Sequence, residues 1–148
     1  MIVYFDTSAL VKGYVQEAGS SEVLAILDNE GNSFGSVAVT QVEMASAIQR
    51  AIRAIGALTI PAKAWQDFLD DWSGFSLIAI SPELIERACR VAWEHKLRGY
   101  DSLHLAAALL WQEALGEKVT LATFDRDLWT AGKNAGMEVW PEGLVLDV

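Results

Sequence analysis

Ile2-Val3-Tyr4-Phe5-Asp6-Thr7-Ser8 decides how the rest of the chain is read: four apolar residues run straight into an acid and two hydroxyls. A strand without polar alternation is covered on both faces, as in a parallel sheet flanked by helices. Three further apolar runs repeat the pattern, at Phe34–Val39, Phe75–Ile80 and Val119–Phe124, with a weaker fifth at Glu138–Trp140. Helical patterns lie between them. Pro61 and Pro82 suit a first helical turn, and Ser81 is a good cap before the second. Leu84, Ile85, Ala88, Cys89 and Ala92 give that helix one buried face, and Leu103, Ala106, Ala107, Leu110 and Trp111 do the same for the next. The expected fold is α/β: a three-layer α/β/α sandwich around a mainly parallel sheet of about five strands.

A chain of 148 residues with no repeat or low-complexity linker is expected to form a single domain. Its 52% hydrophobic and 21% charged residues exclude a disordered or acidic solvating chain. The single cysteine, Cys89, excludes disulfide frameworks and paired-cysteine zinc motifs. Asp6 interrupts the first apolar run, and Leu103–Trp111 falls well short of the ~20 residues a membrane span needs. A cytoplasmic protein with no membrane association is expected. The formal charge of −9 is an unusual balance for a nucleic-acid binder.

Ligands of parallel sheets bind beyond the carboxyl ends of the strands. Asp6 follows the first strand directly, Glu43 comes four residues after Val39, and Asp125 follows Phe124. Asp101 opens a helix expected over Asp101–Leu115. Each acid also has a local structural role open to it. Thr40-Gln41-Val42-Glu43 has the form of a capping box, Asp101 and Asp125 suit N-caps, and Asp6 could start a turn through Thr7 and Ser8. Taken together they suggest more. With reference pKa values of about 3.9 and 4.3, four such carboxylates in one cleft repel one another unless a cation relieves them. All-oxygen ligation suits Mg²⁺ or Mn²⁺, and such ions serve phosphoryl transfer, most simply nuclease action.

Other chemistries find less support. There is no nucleotide phosphate loop, no dinucleotide fingerprint and no G-x-S-x-G elbow. An aspartyl phosphatase with Asp6 as nucleophile usually wants a second acid two residues on, where Ser8 stands. His104, three residues after Asp101, is read first as a core or interface histidine bonded to backbone, and His95 as a solvated helix end. A non-catalytic Mg²⁺-binding interaction module, such as a receiver-like switch, is the alternative reading.

Four stretches carry a resemblance in family order: residues 2–12 (Ile2 to Lys12), Thr40-Gln41-Val42-Glu43, Tyr100-Asp101-Ser102-Leu103-His104 with the alanines that follow, and Leu121-Ala122-Thr123-Phe124-Asp125-Arg126-Asp127-Leu128. They resemble PIN-domain ribonucleases, particularly VapC-type toxins of toxin–antitoxin pairs. The resemblance implies that Asp6, Glu43, Asp101 and Asp125 form the metal-binding, catalytic quartet. Thr7 and Thr123 would support it, and Asp127 matches an extra acid of some members. It further implies metal-dependent cleavage of single-stranded RNA, a homodimer, and inhibition by a small antitoxin inserted in the active site.

Divalent ions held by the quartet would offset much of the negative charge. Lys12, Arg50, Arg98 and Arg126 are the expected RNA contacts, with surface salt bridging the alternative for each. Trp93 and Trp111 are expected in the core. Trp65, Trp72, Trp129 and Trp140 are candidates for a protein interface.

Overall fold

The computed structural model describes residues 1–56 and 60–144. Five strands, β1 (Ile2–Phe5), β2 (Ser33–Val37), β3 (Ser76–Ile78), β4 (Thr120–Ala122) and β5 (Glu138–Trp140), form one sheet in the order β3-β2-β1-β4-β5. Every pairing is parallel. β1 lies at the centre, and its alternation builds both layers of the core. Val3 and Phe5 face the layer of Ala9, Val23, Met44, Ile48 and Phe68; Tyr4 faces that of Leu84, Val91, Leu105 and Leu121. All three strand residues are fully buried, which is why this run carries no polar alternation.

On the Phe5 side pack α1 (Thr7–Leu10), α2 (Ser20–Leu27), α3 (Thr40–Ile55) and α4 (Ile60–Trp72). On the Tyr4 side pack α5 (Pro82–His95), α6 (Gly99–Leu115) and α7 (Arg126–Asn134). The expected α/β/α sandwich is what the chain forms. Pro61 stands in the first turn of α4, and Ser81 caps α5 by accepting the Leu84 N–H. β3 and β4 are shorter than the apolar runs that mark them, because their ladders stop at Ile78 and Ala122. β3 is an edge strand, and Leu77 on it is half exposed.

Two expectations about packing are corrected. The buried face of α5 is Leu84, Ala88 and Val91, whereas Ile85 and Cys89 are exposed and Trp93 is 87% exposed. Both halves of that wide apolar stripe look alike in sequence, and only one can face the sheet. Trp111 does pack on the core, flat against β2, where a Cβ at Gly35 would come within 2.6 Å of its ring. Trp72 is buried among Phe68 and Phe75 rather than lying at a surface.

The strand order reverses at β1: the chain moves outward to β2 and β3, then crosses back to add β4 on the other side. Such a switch point opens a crevice at the carboxyl ends of the central strands. Among the described residues no helix is long and apolar enough to cross a membrane.

Candidate active site

A cleft of about 720 Å³ opens at that crevice, and Asp6, Glu43, Asp101 and Asp125 all line it. Asp6 leaves β1 and caps α1, accepting the Ala9 N–H at 3.1 Å. The Ser8 hydroxyl donates to both its oxygens (2.8 and 3.0 Å), and Thr123 donates to Oδ2 at 2.8 Å. Four hydrogen bonds pin a carboxylate that is only 4% exposed. Burial nevertheless pushes its pKa above the ordinary range, and the His104 ring, the two hydroxyls and the N–H offset this only in part.

Glu43 lies in the first turn of α3, but it forms no capping box. Val39 is the N-cap and its side chain makes no cap bond; the Thr40 hydroxyl turns inward to Ser36 at 2.7 Å. Glu43 is therefore released toward the cleft, where Oε1 accepts from Thr7 at 3.1 Å and from His104 Nε2 at 2.7 Å. Half-burial works to raise its pKa, yet the His104 bond and ring field, with the Thr7 hydroxyl, outweigh it and hold the group below the usual range.

Asp101 is not an N-cap either. α6 begins at Gly99 with Arg98 as its cap residue, two residues earlier than expected, because the extended backbone at Arg98 already starts the helix. That places Asp101 inside the first turn, facing the cleft. Asp125 does cap α7, accepting the Leu128 N–H through Oδ1 at 2.9 Å. Its other oxygen and Asp101 Oδ2 each accept from Arg98 at 3.1 Å, so one guanidinium clasps two acids. Burial and then the Asp125 charge raise the Asp101 pKa, and Arg98 only partly offsets them. Arg98→Gln is expected to raise the Asp101 pKa further, read from the pH dependence of carboxyl ¹³C shifts; no upward movement would contradict the clasp.

Residues 3–133 match the family model of the PIN domain. The chain belongs to the PIN-domain family. Ribonuclease VapC45 of Mycobacterium tuberculosis is 32% identical to this PIN domain across 97% of each chain. PAE2754 from Pyrobaculum aerophilum superposes with a TM-score of 0.64 at 22% identity, covering 94% of this chain and 83% of its own. A toxin-antitoxin complex from Klebsiella pneumoniae gives 0.62 at 22% identity over 84% and 88%. These two structural likenesses carry the fold.

Not every expected residue joins the cleft of this PIN domain. Lys12 lies outside the cleft lining, tied to Glu17 and to the Ala18 carbonyl and set over the Phe124 ring, with its side chain only 13% exposed. Arg126 and Asp127 are exposed and lie outside the cleft lining, since the α7 turn aims them outward, although the Asp127 field reaches Arg98. Arg50 and Arg98 do line the cleft. Thr7 supports Glu43, and Thr123 joins Asp6 to Asp125 by also accepting the Asp125 N–H at 3.0 Å.

His104 is buried as expected, but it bonds two side chains rather than backbone: Glu43, and through Nδ1 the Tyr4 hydroxyl at 2.9 Å. Ser8 and Tyr4 are contributors that sequence reasoning missed. Ser8 carried a signal, as the second hydroxyl behind the strand acid; Tyr4 sits on an apolar run and carried none. Among the described residues, no three of the acids and imidazoles stand at the spacing of a ready-made ion shell. Arg98 spans Asp101 and Asp125, and Asp6 turns both oxygens to its own hydroxyls.

Proposed function

We propose that this chain is a divalent-metal-dependent endoribonuclease acting on single-stranded RNA, the cytoplasmic toxin of a toxin–antitoxin pair. The observation that carries the reading is the convergence of four carboxylates, from the ends of β1 and β4 and the starts of α3 and α6, on one cleft. Similarity to Ribonuclease VapC45 of Mycobacterium tuberculosis supports the reaction class.

The cleft suits Mg²⁺ or Mn²⁺ by its donor chemistry. All four acids offer oxygen, and Glu43 Oε2 and Asp101 Oδ1 have no hydrogen-bond partner among the described residues. Burial pushes both Asp6 and Asp101 toward protonation, and at Asp101 the neighbouring Asp125 charge adds to it, a repulsion that a bound cation would relieve. Asp6, Asp101 and Asp125 would hold one ion, and Glu43 would serve a second or orient the attacking water. When bound, the ion offsets phosphodiester charge and lowers the pKa of water.

The rest falls to the chain. Asp6 is fixed in the cleft before substrate arrives by Ser8, Thr123 and the Ala9 N–H. Arg98, 77% exposed, is held among the described residues by two solvent-screened ion pairs and can leave the acids for an RNA phosphate. Arg50 offers a second cation on the cleft wall.

The antitoxin is proposed to place a basic side chain in this cleft, which already accepts the guanidinium of Arg98 between two acids. The Klebsiella pneumoniae neighbour is a toxin-antitoxin complex. A homodimer is proposed through Ile85, Cys89 and Trp93 on α5, a stripe beside an apolar groove that meets the cleft at Tyr100. Trp93→Glu is then expected to convert dimer to monomer in light scattering with an unchanged circular dichroism spectrum; an intact dimer would contradict this face. The nuclease reading itself is tested by metal-dependent cleavage of single-stranded RNA, lost in Asp6→Asn.

A further inference from the structure

Resting on that reading of the acidic cleft, we infer that His104, braced by Tyr4, is a positioning residue that fixes Glu43 across the cleft. His104 stands on α6 and Glu43 on α3, in opposite helical layers. The 2.7 Å bond from His104 Nε2 to Glu43 Oε1 joins the two layers directly over the sheet edge. Behind it, Nδ1 meets the Tyr4 hydroxyl at 2.9 Å, and that hydroxyl accepts the Val37 N–H at 3.2 Å. Both ring nitrogens are engaged, so the imidazole cannot turn without breaking two bonds. The Tyr4 ring meets it edge-on, with centroids 5.9 Å apart and planes at 79°.

Two donors, Thr7 and His104, bind the same oxygen of Glu43. That fixes the twist of the carboxylate and leaves Oε2 without a hydrogen-bond partner among the described residues, on a side chain that lines the cleft. An ionised carboxylate only accepts, so Nε2 carries the proton and donates. A purely structural role would not call for this arrangement. Burying an imidazole and a phenol hydroxyl is costly unless both are bonded, and Leu with Phe would fill similar space without that demand. The polar chain instead runs from the central strand through the core and ends on an acid of the cleft.

The test compares wild type with His104→Leu, His104→Gln and Tyr4→Phe. Mn²⁺ affinity is measured by titration calorimetry, and kcat and KM on single-stranded RNA. Groups that orient metal-binding side chains typically matter 10–100-fold. His104→Leu is expected to lose about that much in Mn²⁺ affinity and in kcat, with KM little changed. His104→Gln, which keeps an N–H donor, should recover most of the loss, and Tyr4→Phe should show a smaller one. A folded His104→Leu that binds Mn²⁺ and turns over like wild type overturns the inference.

If His104→Leu does not fold, histidine-labelled wild type decides. One of its two imidazoles should show a protected Nε2–H signal that moves in Glu43→Ala; a signal indifferent to Glu43→Ala overturns the inference. A wild type that neither binds Mn²⁺ nor cleaves RNA removes the underlying reading, and the inference falls with it.

Discussion

Asp6→Asn is expected to cut metal-dependent RNA cleavage by more than about 100-fold while the protein stays folded. Neighbours that merely orient a metal-binding group are worth up to ~100-fold, so the central acid itself should reach at least that. The fold survives because asparagine caps a helix about as well as aspartate and still accepts the Ala9 N–H. The variant also removes a buried charge whose ionisation the folded state resists, so its metal-free stability should not fall. Single-turnover cleavage with a parallel melting curve checks both halves. A loss below ~10-fold would reduce Asp6 to the cap of α1.

Mn²⁺ or Mg²⁺ is expected to raise the melting temperature of the wild type by roughly 5–10 °C at a hundredfold excess over Kd. Binding confined to the folded state is then worth about 2.7 kcal/mol, and a domain near this size gains about 2–4 °C per kcal/mol. The pH dependence has a definite sign. Asp6 and Asp101 have folded pKa values raised above their unfolded ones, so the folded protein holds protons that the unfolded chain has released. Metal-free stability is therefore lost as pH rises from about 3.9 through the raised values, and bound metal should recover it. Asp101→Asn should raise the metal-free melting temperature and abolish the metal response. If it instead costs about 1 kcal/mol and leaves the response intact, Asp101 has only a structural role.

What the sequence disclosed and what it withheld divide along a physical line. Ile2–Phe5 was legible because burial on both faces leaves a mark on every residue of the strand. Asp6, Glu43, Asp101 and Asp125 were legible as candidates because a parallel sheet sends its strand ends and the helix starts behind them to one edge. Their local roles were less so. Glu43 was compatible with a capping box until Thr40 proved to bond Ser36, and Asp101 with a cap until the helix proved to start at Gly99.

The contacts that tune the site join residues far apart in sequence: 27 positions between Arg98 and Asp125, 61 between Glu43 and His104, 100 between Tyr4 and His104. No periodicity encodes such pairs; packing of the layers does. Trp93 shows the same limit on α5, where an apolar stripe wider than the buried face has an outer half that sequence cannot tell from the inner one.

The most direct measurement is cleavage of single-stranded and structured RNA by protein stripped with EDTA, then supplied with Mn²⁺ or Mg²⁺, with Asp6→Asn purified alongside. Cutting that is absent in EDTA, returns with metal, favours single strands and is missing from Asp6→Asn is the predicted result. Cleavage that persists in EDTA, or that Asp6→Asn retains in full, would contradict the assignment of the four carboxylates as the metal-dependent centre.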